Sequence, residues 1–204
     1  MKIIFLLSVL LLLPSFIFAQ WKTKDPAQFQ TELNAWYKSV DTSPFKDAQS
    51  REAFRSLKYY TITDKYKITG RFHRTENGEI KTYPTSSGQP RDLQEYGYVE
   101  FEWRGEQYQL FVLEEMEKYN PEYADFVEIP FYDATNNKQT YGGGRYLGFW
   151  KDELIDGEPI ILNFNLAFNP YCAYTKGYAC LIPPEKNRLD FKVKAGVKKG
   201  LISE

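Results

Sequence analysis

The segment Tyr98–Leu113 constrains the fold of this chain more than any other. Val99, Phe101 and Trp103 alternate with Glu100 and Glu102; Arg104-Gly105-Glu106 follows as a tight turn, and Tyr108–Leu113 returns. Period-two alternation marks a strand with one buried face, and two such runs joined by a short turn predict an antiparallel hairpin. The same pattern recurs along the chain. Tyr66, Ile68 and Phe72 alternate with Lys67, Thr69 and Arg71, and Asn77-Gly78 is a hairpin turn signal leading to a return strand over 80–83. Further apolar segments fall near 127–132, 146–150, 160–164 and 189–193. They are separated by Asn136-Asn137, Asp156-Gly157, Asn169-Pro170 and Pro183-Pro184. Short strands with frequent turns predict a mainly β barrel or sandwich.

The N-terminal part reads differently. Asp25 suits an N-cap, Pro26 suits a first turn, and Phe29, Leu33, Trp36 and Tyr37 share one helical face, which predicts a helix over 25–38. A second short helix is expected over about 44–56, capped by Ser43. One or two N-terminal α-helices therefore pack against a β body. Lys192 to Lys199 carries four lysines and reads as a solvated strand and tail.

Ahead of these elements stands Lys2 and then an apolar run, Ile3 to Leu13, interrupted only by Ser8, with Pro14, Ser15 and Ala19-Gln20 after it. This is the n-region, h-region and cleavage site of a secretory signal over residues 1–19, and the run is shorter than the ~20 residues of a membrane-spanning helix. The mature chain is then a single domain over 20–204, periplasmic or secreted, with no transmembrane anchor after cleavage. The formal charge is −1, or −2 without Lys2. With no basic tract among the aromatics, nothing points to nucleic acid. Cys172 and Cys180 are the two cysteines. In an oxidising compartment they are most simply a disulfide. A metal site is the alternative, short of ligands because His73 is the one histidine. No cofactor motif is present.

Nucleophilic catalysis has little support, since no Ser sits in a G-x-S-x-G elbow. Glu114, Glu115 and Glu117 read as a solvated face. Gly142-Gly143-Gly144 is read as a bulged turn that needs glycine or as a backbone nest for an anion. Arg145 beside it suits a carboxylate, sulfate or phosphate ligand, or an internal acid such as Asp133. The densest polar segment runs from Asn163 through Asn165, Asn169-Pro170-Tyr171-Cys172 and Cys180 to Glu185-Lys186-Asn187-Arg188. Its amides, phenols and prolines suit a rigid loop, which serves structure or binding.

Several of these motifs in order, Ile129-Pro130-Phe131-Tyr132-Asp133-Ala134-Thr135, Thr140 to Leu147, Asn163 to Tyr174 and Cys180 to Leu189, resemble the bacterial family labelled domain of unknown function 1684. The resemblance spans roughly residues 95–196 and leaves the N-terminal helices uncovered. The family usually carries Asp, Pro and Glu where Asn163, Leu181 and Val197 stand, so a catalytic role for that Asp would make this chain inactive. The resemblance implies export and a compact β-rich domain, and supplies no activity. The expected function is binding of a small polar or anionic ligand through the Gly142–Arg145 turn and the 165–187 loops. Arg145, Asn165, Asn169, Tyr171, Asn187, Asp133 and Glu185 are the candidate contacts. An envelope or glycan hydrolase using carboxylates such as Asp133 and Glu185, and a structural or partner-binding envelope protein, are the alternatives.

Overall fold

In the computed structural model, residues 24–117 and 121–200 are described, so the apolar leader over 1–19 lies outside the described residues. They form a curled antiparallel sheet, a half-barrel, with one substantial helix and several short ones. The strands are β1 (Lys67–Arg74), β2 (Ile80–Tyr83), β3 (Arg91–Trp103), β4 (Glu106–Glu115), β5 (Phe126–Phe131), β6 (Arg145–Trp150) and β7 (Pro159–Asn163). Their order is β6-β5-β4-β3-β1-β7, with β2 also on β3.

The β3–β4 hairpin closes between Trp103 and Glu106, and Arg104 and Gly105 both adopt positive φ. A two-residue turn of that kind matches the twist of the flanking strands. The Asn77-Gly78 signal also makes a turn, with Asn77 at φ +50°, but β2 does not return along β1. β3 is long enough to pair with both. Its residues 91–94 carry β2, its residues 97–101 carry β1, and the register shifts between Glu95 and Gly97. Gly97 permits this: a Cβ there would lie 2.4 Å from the His73 carbonyl oxygen and 2.5 Å from the Phe72 ring.

Alternation sorts the side chains onto two faces. Ile68, Phe72, Val99, Phe101, Leu110, Val112, Ile129, Leu147 and Leu162 point to one face and make the main core. The opposite face carries Leu93, Leu113 and Tyr146, against which α1 (Pro26–Lys38) packs Phe29, Leu33 and Tyr37. Asp25 caps α1 by accepting from the Gln28 N–H at 2.7 Å. The second expected helix is shorter: α2 spans Ala48–Ala53 and buries no residue. Ser43 caps a local turn at Phe45 instead, and Phe45 and Phe54 lie outside the helix, packed on each other.

The strand expected over 189–193 is irregular chain, and the lysine-rich tail is not wholly solvated. Lys192 and Lys194 point out, while Val193, Ala195 and Val197 are fully buried. No ladder satisfies these carbonyls; the Arg145 side chain does, as described next.

Candidate functional site

Most of the residues picked from the sequence face inward. Arg145 is wholly buried. Its Nη2 donates to Asp133 Oδ2 at 2.7 Å and to the Val193 carbonyl at 2.9 Å, and its Nη1 reaches the carbonyls of Ala195 and Val197. Asp133 Oδ1 accepts from the N–H groups of Thr135 and Val193 at 2.8 and 3.1 Å. The internal pairing of Arg145 with Asp133 is therefore the one realised: both Nη atoms are engaged, and Nε, which has no hydrogen-bond partner, is sealed from solvent. The glycines beside it are packing requirements. Gly144 has φ +89°, and a Cβ there would lie 2.6 Å from Pro183 and 2.8 Å from the Phe131 carbonyl oxygen.

Asn165 is buried, donating to Thr63 O at 2.9 Å and accepting from Thr63 N–H at 3.1 Å. Asn163 Oδ1 accepts from the backbone and side-chain amides of Asn165. That is acceptor work an Asp would do equally, so an Asp at this position would serve the same structural task. Asn187 is also fully buried. Glu185 lies at the surface, paired with Arg188, whose guanidinium holds its carboxyl below the usual value. His73 stacks on Tyr98 at 4.9 Å, with Glu100 3.4 Å away.

Asn169 and Tyr171 do share a site, an open cleft of about 420 Å³ between α1, the α1-bearing face of the sheet and the segment 168–181. Strand register builds its floor. Leu93 pairs with Glu115 and Leu113 with Glu128, so Arg91, Leu93, Leu113, Glu115, Phe126 and Glu128 lie on one face. Tyr146 continues it on β6. Leu33, Trp36 and Tyr37 of α1 form the opposite wall. Tyr171, Tyr178, Ala179, Cys180 and Leu181 close the side.

That side wall is fixed at several points. The Cys172–Cys180 disulfide is present. Closing so short a loop contributes about 2.5 kcal/mol in the chain-entropy account. Ser86 Oγ accepts from Cys180 N–H at 3.1 Å and donates to the Tyr178 carbonyl at 3.0 Å. Tyr171 accepts from the Trp36 indole N–H at 2.5 Å and donates to Thr42 O at 2.7 Å, tying α1 to the wall. Burial pushes the Tyr171 phenol up to about 12. Tyr146, fully buried, donates to the Leu181 carbonyl; burial first, then the nearby Glu128 charge, push its phenol up.

Arg91 and Glu115 are the paired charges of the floor. Arg91 Nε donates to Glu115 Oε1 at 2.7 Å, its Nη2 donates to the other oxygen, and its Nη1 reaches Ala179 O at 3.3 Å. Such a bidentate pair is geometrically rigid. With both Glu115 oxygens engaged by the guanidinium, the pair is built for positioning rather than for proton transfer. The reading of Glu114, Glu115 and Glu117 as one solvated face is corrected in part: Glu114 pairs with Lys151 at 2.6 Å and Glu115 is half-buried on the floor of the cleft, while Glu117, which also lines the cleft, is exposed.

Asn169 sits at the back, donating to the Tyr174 hydroxyl at 2.9 Å and to Lys198 O at 3.1 Å. Its Oδ1 has no hydrogen-bond partner and is sealed from solvent. Among the described residues no group of three His, Cys, Asp or Glu is arranged to hold a metal ion. No helix there is long and apolar enough to cross a membrane.

Comparison with known proteins places these observations in a family. The family model described as "Protein of unknown function (DUF1684)" matches residues 52–198, which hold the sheet and the disulfide loop and leave α1 outside. No curated protein matches. A similar solved structure is the solution NMR structure of the uncharacterized protein from gene locus rrnAC0354 of Haloarcula marismortui. It is 29% identical, with a TM-score of 0.67, and the match covers 85% of this chain and 91% of that one.

Proposed function

We propose that this chain, which belongs to the DUF1684 family of proteins of unknown function, is an exported binding protein that holds a small organic molecule in the cleft beneath α1. The observation that carries this reading is the cleft itself. Protein interiors are close-packed, with few voids larger than a water molecule. Concave, mostly apolar spaces of roughly 300–1,000 Å³ with a few placed polar groups are where small ligands bind. A cleft of about 420 Å³ lined by Trp36, Tyr37, Tyr146, Phe168, Tyr171 and Tyr178, with an Arg91–Glu115 pair on its floor, fits that description.

The 165–187 loops contribute to this site through Asn169, Tyr171 and Cys180. The Gly142–Arg145 turn does not, because its arginine is spent on Asp133 and the tail. The apolar lining favours a ligand with a sizeable apolar body over a wholly polar one. Export is supported by the composition of residues 1–19 and by the disulfide, a bond that persists in oxidising compartments.

Ala179 is half-buried on the cleft wall, so Ala179→Trp fills the space without opening the core. Wild-type protein is expected to enhance the fluorescence of the neutral probe N-phenyl-1-naphthylamine. The variant should raise the probe's Kd at least tenfold with an unchanged circular dichroism spectrum. No uptake by the wild type, or equal uptake by both, contradicts the reading.

A further inference from the structure

Two stretches of chain set seven lysines side by side. Residues 58–67 carry Lys58, Lys65 and Lys67, residues 192–199 carry Lys192, Lys194, Lys198 and Lys199, and Asp64 is the one acid in either stretch. The two run antiparallel. Lys198 N–H donates to the Lys58 carbonyl at 2.7 Å, Tyr59 bridges to Val197, and Tyr60 N–H donates to the Gly196 carbonyl at 3.0 Å. Further along, the Tyr66 hydroxyl donates to the Lys192 carbonyl at 3.0 Å. Val193, Ala195 and Val197 are buried, which leaves Lys192 and Lys194 on the exposed side, as are Lys58, Lys65 and Lys199. Among the described residues only Lys67 of the seven meets a carboxylate, that of Asp64 at 2.7 Å. The ribbon therefore holds a surplus of six positive charges on a chain whose formal total is −1. Charge gathered on one face of an otherwise negative molecule attracts an anionic partner and orients the approach to it.

The same ribbon displays an apolar side chain. Ile62 is 40% exposed, and the half-buried Tyr60 lies beside it with Lys198 Nζ 4.9 Å from its ring centre. A hydrated polyanion satisfies lysines but has nowhere to bury an isoleucine. A bilayer surface satisfies both, since anionic head groups attract lysines, phenols suit the interface, and apolar side chains enter the acyl boundary. We propose that this basic ribbon docks the protein peripherally on a bilayer containing anionic phospholipid, with the lysines on the head groups and Ile62 inserted between them. None of these residues lines the cleft beneath α1, so the docking surface stands independently of the ligand reading.

The test is flotation of the full-length mature protein with vesicles of phosphatidylcholine alone and of phosphatidylcholine mixed with phosphatidylglycerol. Binding to the mixed vesicles is expected to be at least tenfold tighter, and to be lost at about 1 M salt, where the screening length falls to about 3 Å. A lysine near an anionic surface contributes about fivefold to partitioning, so Lys192→Gln with Lys194→Gln should weaken binding at least tenfold. Lys38→Gln with Lys176→Gln removes the same charge from exposed positions outside the ribbon and should leave binding nearly unchanged. Ile62→Ser should weaken vesicle binding several-fold and leave retention on immobilised dextran sulfate as it was. Circular dichroism should be the same for all variants. Equal binding to both vesicle types, no binding to either, or equal losses from the two lysine pairs overturns the proposal. Vesicle binding indifferent to Ile62→Ser overturns it as well, and assigns the ribbon to soluble polyanions instead.

Discussion

Replacing Arg145 with methionine is expected to destabilise the protein by about 3–5 kcal/mol, the usual loss when one partner of a buried ion pair is removed. At about 2–4 °C per kcal/mol for a domain of this size, that lowers the melting temperature by roughly 6–20 °C. The structure gives the reason. Arg145 and Asp133 are both inaccessible to solvent. Methionine fills much of the space but leaves the Asp133 carboxylate without its cation. It also strips the Val193, Ala195 and Val197 carbonyls of the donors that hold the C-terminal segment to the sheet. Urea unfolding of Arg145→Met, of Asp133→Asn and of the double variant checks this, because the double variant should lose less than the sum of the two. A shift below ~0.5 kcal/mol for Arg145→Met, the range of an ordinary surface substitution, would contradict the structural role.

Asn187→Ala should cost about 3 kcal/mol or more, for a reason specific to the β4–β5 ladder. Leu113 pairs with Glu128, so two positions along the ladder Phe111 would match Pro130. Proline has no N–H to donate. The Asn187 amide takes its place: Nδ2 donates to Phe111 O at 2.9 Å and to Pro130 O at 2.8 Å, and Oδ1 accepts from Phe111 N–H at 2.7 Å. Removing the amide leaves three backbone groups in the interior without partners, each worth roughly 1–3 kcal/mol when left unmade. Asn187→Asp keeps the acceptor and loses both donors, so it should also destabilise. The check is chemical denaturation, supplemented by hydrogen exchange. Exchange of the Phe111 amide should rise in the alanine variant well before that of Val99 in the neighbouring strand. Equal protection of the two amides in variant and wild type would refute the stapling role.

Local features were legible in the sequence where the physics is local. The Trp103–Glu106 hairpin follows from alternation and a turn residue, and α1 follows from its Asp25 cap and one apolar face. The family motifs identified the family, and the cysteine spacing suggested the bond that the structure contains. What could not be read were partnerships set at long range. Asn77-Gly78 specifies a turn but says nothing about which strand receives β2, and that is decided by the length of β3 and the gap at Gly97. The alternation of Val193, Ala195 and Val197 resembles a strand, yet their three carbonyls are satisfied by a side chain about fifty residues earlier.

The same distinction governs the site. Asn169 and Tyr171 stood out because polar residues crowd around Asn-Pro-Tyr-Cys. Arg145, Asn165 and Asn187 stood out for the same reason, but their polarity serves the interior. Buried carbonyls and amides need partners as much as ligands do. Arg91, Glu115 and Glu128 were missed because only strand register brings them together. One signal was available: Glu115 shares strand parity with the apolar Leu113, which places a carboxylate on a covered face rather than a solvated one.

The central claim is that the cleft beneath α1, not the Gly142–Arg145 turn, receives the ligand. Its most direct test is NMR mapping on ¹⁵N-labelled mature protein during titration with N-phenyl-1-naphthylamine. The predicted result is a set of saturable shifts at the Trp36 indole N–H and at the amides of Ala179, Cys180 and Leu181, with Gly143, Gly144 and Asn165 unmoved. Shifts centred on Gly142–Arg145 with Trp36 unchanged, or no saturable shift anywhere, would contradict it.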